Sequence, residues 1–109
     1  MKRRAVYLSG PMTGWFEYNK RWFMNEAEIW TALGVKVFNP HTFFGEDLIK
    51  ILHKYTRLAW YLAMARDLLI MWYASVRYDL VVYVHPGWLL SKGARIEVAL
   101  AHKLGVEVI

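Results

Sequence analysis

Apolar positions along the chain come in two kinds of run, short unbroken ones and long ones recurring every three to four residues, and the two kinds alternate. Ala5-Val6-Tyr7-Leu8 is a short run stopped by Ser9-Gly10-Pro11, which predicts a buried strand from Arg4 to Ser9 and a loop after it. Phe16, Phe23, Ala27, Trp30 and Leu33 recur at helical spacing and predict a helix over 16–33, with Gly34 placed as its C-terminal cap. Val35-Lys36-Val37-Phe38 alternates as far as Asn39-Pro40 and reads as a second strand. Residues 41–54 hold no clear period and read as a loop with one short helix. From Tyr55 to about Ser75 the chain is apolar nearly all round, the mark of a helix buried on most sides, in its own core or against a partner chain. Leu80-Val81-Val82-Tyr83-Val84 is apolar without alternation, as a central parallel strand covered on both faces should be. His85-Pro86-Gly87 ends it. A helix from Ser91 to Leu104, closed by Gly105, and a last strand over 106–109 complete the chain.

The order β-α-β-α-β-α-β predicts an α/β fold: a small doubly wound, Rossmann-like parallel sheet of four to five strands with helices on both faces, in one domain over 1–109. In such sheets ligands bind beyond the carboxyl ends of the strands. That rule selects Ser9 to Gly14, Asn39 to Phe43 and His85 to Gly93 as pocket segments.

Composition sharpens this picture. In 109 residues, 57% are hydrophobic and six are tryptophan and seven tyrosine. One small core cannot hold so many large rings, so some must line a pocket or a subunit interface. The absence of cysteine excludes disulfides and thiolate metal sites and suits a reducing cytoplasm. The four histidines (His41, His53, His85, His102) show no ligand spacing, so no metal is expected. The longest apolar stretch, from Leu58 to Ala74, carries Arg66 and Asp67 in its middle, which argues against a membrane span. The apolar run after Lys2-Arg3-Arg4 is too short for a secretion signal, and a cytoplasmic protein is expected. The net charge of +5 favours anionic ligands. Its basic residues are scattered rather than ranged along one helix face, which argues against nucleic acid as the partner.

The stretch Ser91-Lys92-Gly93-Ala94-Arg95-Ile96-Glu97 bears two readings. It is a capped helix start with an acid in its early turns, where the helix dipole favours one. Equally, it is a phosphate cradle: unpaired N–H groups at the first turn, a glycine for close approach, Lys92 and Arg95 for charge, and Glu97 one turn deeper on the side of Gly93. Asp67, within the most apolar helix, pairs with Arg66 or Arg57, lies on an exposed edge, or serves a purpose that justifies burying a carboxylate. Tyr7 lies two residues before the first loop and is either a core residue or close enough for its hydroxyl to reach a pocket mouth. Trp88 either stacks on a ligand ring or simply packs. Asp79 reads as a turn residue.

Taken in order, these pieces resemble the nucleoside 2-deoxyribosyltransferase superfamily. Tyr7-Leu8-Ser9-Gly10-Pro11-Met12 looks like its first-strand signature, Asp67 stands where that family has a helix aspartate, and Asp79 to Val84 looks like its third strand. Ser91-x-Gly93-x-x-x-Glu97 is similar to its catalytic segment, and Ala99-x-Ala101 with Leu104-Gly105 follows as it does there. The Gly-Trp-x-x-Ser-x-Gly-Ala-x-x-x-Glu segment at 87–97 most resembles short, mostly phage-encoded members of uncharacterised function. The region 41–56, which should build the base pocket, matches nothing in the pattern.

The resemblance implies a nucleotide substrate and a glycosyl-enzyme mechanism. Glu97 would be the nucleophile, Asp67 would protonate or orient the leaving base, and Tyr7 would position Glu97 or the sugar. Ser9, Gly10 and Met12 would line the sugar and base pocket, Trp88 would cover the base, and Ser91 and Gly93 would hold the phosphate. Six residues before the glutamate, relatives acting on free nucleosides carry aspartate, whereas those hydrolysing nucleoside 5′-monophosphates carry serine, as here. An aspartate beside a phosphate repels it, while a serine hydroxyl donates to it. The expected activity is therefore hydrolysis of the N-glycosidic bond of a nucleoside 5′-monophosphate. A deoxyribosyltransferase or a non-catalytic nucleotide-binding protein are the alternatives. No cofactor or metal is implied, and a homodimer or larger homo-oligomer is.

Overall fold

A computed structural model of the chain describes residues 2–12, 15–42 and 56–109. Four strands form one parallel sheet: β1 (Arg4–Ser9), β2 (Lys36–Phe38), β3 (Asp79–Val84) and β4 (Glu107–Val108), in the spatial order β2-β1-β3-β4. Among the described residues three α-helices connect them: α1 (Lys20–Ala32), α2 (Thr56–Arg77) and α3 (Lys92–Lys103). The fold is the expected α/β sheet with helices on both faces, with four strands in it.

The period-two geometry of β1 decides what packs where. Val6 and Leu8 point to one face and meet Phe23 of α1, with Trp22, Ala27, Trp30 and Tyr83 around them. Ala5 and Tyr7 point to the other and meet Met71 and Ala74 of α2, Ala101 of α3 and Val82 of β3. Both faces of the strand are dry, which is why its sequence is apolar without alternation. Burying a side chain the size of Leu8 or Phe23 contributes roughly 1.5–3 kcal/mol, and both are fully enclosed.

β1 pairs with β2 on one side and β3 on the other, with Ala5 opposite Lys36 and Arg4 opposite Asp79. The chain turns one way from β1 to reach β2 and the other way to reach β3. This reversal opens a crevice above the carboxyl ends of β1 and β3, where Ser9 and Val84 lie in register.

The expected elements recur with small shifts. Gly34 (φ +80°) and Gly105 (φ +72°) adopt the left-handed conformation that ends α1 and α3, as their placement implied. The helix expected from Phe16 begins as α-helix only at Lys20. Residues Phe16–Asn19 form a 3₁₀ turn in which Glu17, Tyr18 and Asn19 all have positive φ. The apolar period has a gap here: no apolar side chain falls at Asn19 or Lys20 to hold another helical turn on the sheet, and Phe16 is left exposed. Asp79, read as a turn residue, opens β3 and makes an exposed ion pair with Arg4 at 3.7 Å. The loop and short helix expected over 41–54 lie, from residue 43 onward, outside the described residues. No helix among the described residues is long and apolar enough to cross a membrane.

Candidate functional site

A cleft of about 290 Å³ opens above the carboxyl ends of β1 and β3. Gly10, Pro11 and Met12 form one wall, Leu90 to Ala94 another, and Trp60, Ala63, Met64 and Asp67 of α2 the third. Trp15, Phe23 and Pro40 complete the lining, and Glu97 lies on it from one turn inside α3. All three segments chosen from the strand-end rule contribute to the cleft, the second through Pro40.

Glu97 is the chemical centre. Its carboxylate is almost wholly buried, and two hydroxyls from β1 donate to it: Tyr7 to Oε2, and Ser9 to Oε1 at 3.0 Å. Tyr7 and Ser9 are two residues apart on a strand, so both point to the same face, toward α3. Burial pushes the Glu97 carboxyl up to about 8, and the Asp67 charge adds to that rise; the two hydroxyl donors act against it. Tyr7 is raised well above an ordinary phenol by burial first and by Glu97 second, so it stays a donor throughout the accessible pH range.

Asp67 enters from α2. Burial raises it to about 6, held back by the Arg66 guanidinium at 3.5 Å. That separation is too long for a sound hydrogen bond, and Asp67 Oδ1 has no hydrogen-bond partner among the described residues. Asp67 is thus next to Arg66, as one of its sequence readings expected, and it lines the cleft. Between pH 6 and 8 the pair of carboxyls holds about one proton, and the deeper Glu97 is the better place for it.

Ser91 caps α3: its Oγ accepts from the Ala94 N–H at 3.1 Å. As acceptor there, it keeps its own proton for a ligand. Lys92 reaches back over α2, with its ammonium 5.0 Å from the Trp60 ring centre and 5.6 Å from Tyr61. The aromatic faces hold this cation at the cleft mouth. Gly93 has a packing role besides the expected one, since a Cβ there would stand 3.2 Å from Met64 Sδ. Its lack of a side chain lets α3 lie close on α2, which brings Glu97 and Asp67 to one cleft. Gly10 is needed for a similar reason: a Cβ would meet the His85 Cβ at 2.8 Å.

Of the residues singled out in the sequence, Gly10, Met12, Asp67, Ser91, Gly93 and Glu97 line the cleft. Tyr7 and Ser9 lie beneath it as the donors to Glu97 rather than on its surface, where the resemblance had Ser9. Trp88 is not part of the lining; it sits half-buried in the 3₁₀ turn Trp88–Leu90, with its backbone N–H bonded to the His85 carbonyl, and its neighbour Leu90 faces the cleft instead. The indoles on the cleft are Trp15 and Trp60. Trp15 follows directly on the first pocket segment, which was the available hint. Trp60 lies in a helix apolar all round, where no period separates the inner face from the outer. Among the described residues no three histidine or acidic side chains are grouped to hold a metal ion.

A family model described as Domain of unknown function (DUF4406) matches residues 4–109, which takes in every strand and helix of the sheet and the whole of the cleft. No curated protein and no solved structure matches the chain.

Proposed function

The chain belongs to the DUF4406 family, whose description names no reaction, and we propose, as the resemblance implies and the cleft supports, that the protein hydrolyses the N-glycosidic bond of a nucleoside 5′-monophosphate. The observation that carries this reading is the Glu97 carboxylate, buried at the foot of the cleft and gripped by the Tyr7 and Ser9 hydroxyls, with Asp67 on the same lining. Two carboxyls in an apolar cleft, both raised by burial and one of them oriented by donors, suit a two-step displacement at a sugar carbon in which the proton they share passes from Glu97 to Asp67 when substrate binds.

In that displacement a Glu97 oxygen attacks the anomeric carbon as the carbon–nitrogen bond breaks. The base leaves with the bonding electron pair and takes a proton from Asp67. Water then attacks the glycosyl ester, Asp67 accepts its proton, and sugar phosphate is released with Glu97 restored. Tyr7 and Ser9 fix the attacking carboxylate. The start of α3, with Ser91 and Lys92, receives the phosphate, and the Trp15 and Trp60 indoles offer faces to the base.

A second reading draws on the same carboxyl. With Glu97 raised to about 8, the unliganded cleft at neutral pH holds a protonated, poorly nucleophilic acid, which suits a protein that binds a nucleotide and leaves it intact. Incubation with ribo- and deoxyribonucleoside 5′-monophosphates, with free nucleosides alongside and free base measured by chromatography, separates the two. Base released from monophosphates and lost in Glu97→Gln is the expected result. Nucleotide bound and recovered whole would move the assignment to the binding protein. Base appearing only when a second base is supplied as acceptor would move it to a transferase.

A further inference from the structure

His85 stands where β3 ends, and its ring takes no part in the reaction described above. Its backbone N–H donates to the Ser9 carbonyl at 2.9 Å, and its carbonyl accepts from the Trp88 N–H at 3.0 Å. Pro86 after it favours an extended backbone. The ring lies between two indoles, its centre 5.0 Å from that of Trp15 and 4.9 Å from that of Trp22, and meets each nearly edge to face. Its Nδ1 accepts from the Gly87 N–H at 2.8 Å. A nitrogen that accepts a hydrogen bond carries no proton, so the ring is neutral with its proton on Nε2. Burial lowers its pKa from the ordinary 6.5 and favours that form.

Trp15 lines the cleft and is 40% exposed, and the imidazole with Gly87 backs it. The three are packed as one unit: a Cβ at Gly87 would stand 3.2 Å from His85 Nδ1 and 3.4 Å from Trp15 Cζ2. Protonation of the ring reverses the Nδ1 contact, because a second N–H would then point at the Gly87 N–H and the two would part. We propose that His85 is a positioning residue, whose neutral imidazole holds the Trp15 indole as the wall on which the ring of a ligand stacks. The ligand side of this assignment rests on the nucleotide reading of the cleft; the hold of His85 on Trp15 does not. Trp15, Trp22 of α1, Gly10 and Gly87 pack on the imidazole and none carries a charge, and burial is what shifts its ionisation. His41, bonded to the Tyr18 carbonyl at 2.8 Å and also lowered by burial, titrates in the same range.

Two measurements test the hold without any ligand. Nitrogen-15 NMR of the full chain at about pH 7.5 should find the His85 proton on Nε2. The fluorescence of Trp15, taken as the difference between wild type and Trp15→Phe, should change as pH falls, with a midpoint below 6.5. His85→Leu fills the space without titrating and should abolish that change, which separates His85 from His41. A proton on Nδ1 overturns the proposal. So does a Trp15 signal that titrates alike in wild type and His85→Leu.

A third measurement reads the ligand. Calorimetric titration with thymidine 5′-monophosphate and adenosine 5′-monophosphate, one of each base size, should find His85→Leu roughly 10-fold weaker than wild type, the size of a lost base–indole stack. His85→Asn, whose Oδ1 offers the Gly87 N–H an acceptor in place of Nδ1, should fall between the two. Where base is released, the loss should appear in KM with kcat within about threefold. Unchanged affinity in both variants overturns the proposal, as does a fall in kcat at constant KM. If neither nucleotide binds wild type, the nucleotide reading and the ligand side of the assignment fail together, and the Trp15 titration alone decides the hold.

Discussion

The Tyr7 hydroxyl donates to Glu97 Oε2 across 90 residues of sequence, joining the middle of the central strand to the second turn of the last helix. Both groups are fully enclosed, so the bond is not diluted by water. Hydrogen bonds to charged groups contribute about 1.5–3 kcal/mol. Tyr7→Phe keeps the ring that packs in the core and removes only the donor. It should slow base release at pH 7 by roughly 10- to 100-fold. Because the Tyr7 bond lowers the Glu97 pKa against burial, losing it should also move the ionisation seen in the pH–rate profile upward. An unmoved profile would deny Tyr7 this role.

Glu97→Gln should change stability in a pH-dependent way. The folded protein holds Glu97 at about 8, above its ordinary value near 4.5. A carboxyl raised on folding is accommodated in neutral form below the unfolded value, and that stability is lost as pH climbs through the folded one. Wild type and Glu97→Gln should therefore melt together near pH 4.5 and separate by pH 9, the variant higher by roughly 5 °C or more. Parallel melting curves at both pH values would count against a buried, ionisable Glu97.

Ser91 is where capping and ligand binding can be pulled apart. Aspartate caps helices as well as serine does, so Ser91→Asp should leave the melting temperature within about 2 °C. Its charge would face a bound phosphate, and the KM for a monophosphate should rise at least ~10-fold while that for a free nucleoside does not. Ser91→Ala should instead cost about 1 kcal/mol of stability. If Ser91→Asp treats the two substrate classes alike, the phosphate does not lie at the start of α3.

Lys92 is held over Trp60 and Tyr61 and makes no ion pair among the described residues. Its charge is thus available to an incoming anion. Lys92→Ala should raise KM for monophosphates ~10-fold and leave kcat within about threefold, since the ammonium meets the phosphate equally in ground and transition states. A fall in kcat at constant KM would assign it to the reacting centre.

Gly10→Ala tests the floor of the cleft without touching a charged group. The new methyl would lie 2.8 Å from the His85 Cβ, an atom fixed by the backbone of β3's exit. Overpacking of this kind costs about 1–3 kcal/mol, and the melting temperature should drop by roughly 5–15 °C. An unshifted melting curve would mean that the two strand ends part more easily than their packing implies.

The sheet was legible because β1 and β3 are covered on both faces, and unbroken runs such as Leu80 to Val84 record that directly. Glu97 and Ser91 were legible because their relation is local, within two turns of one helix. What escaped is directional. Nothing in the periodicity of α2 tells which side faces the cleft, so Trp60 went unnoticed and Trp88, in a loop that looked ready to cover a ring, was favoured. The positive φ angles of Glu17, Tyr18 and Asn19 have no glycine to announce them. Nor could spacing along the chain bring Asp67 to Glu97. That meeting depends on how α3 packs on α2, where the absence of a side chain at Gly93 leaves room beside Met64.

The sheet's outermost strands are three residues long in β2 and two in β4. Each offers a passing chain only a few free backbone groups, too few to template cross-β growth. Among the described residues the sheet of a chain more than half hydrophobic thus has almost no exposed rim from which fibrils could start.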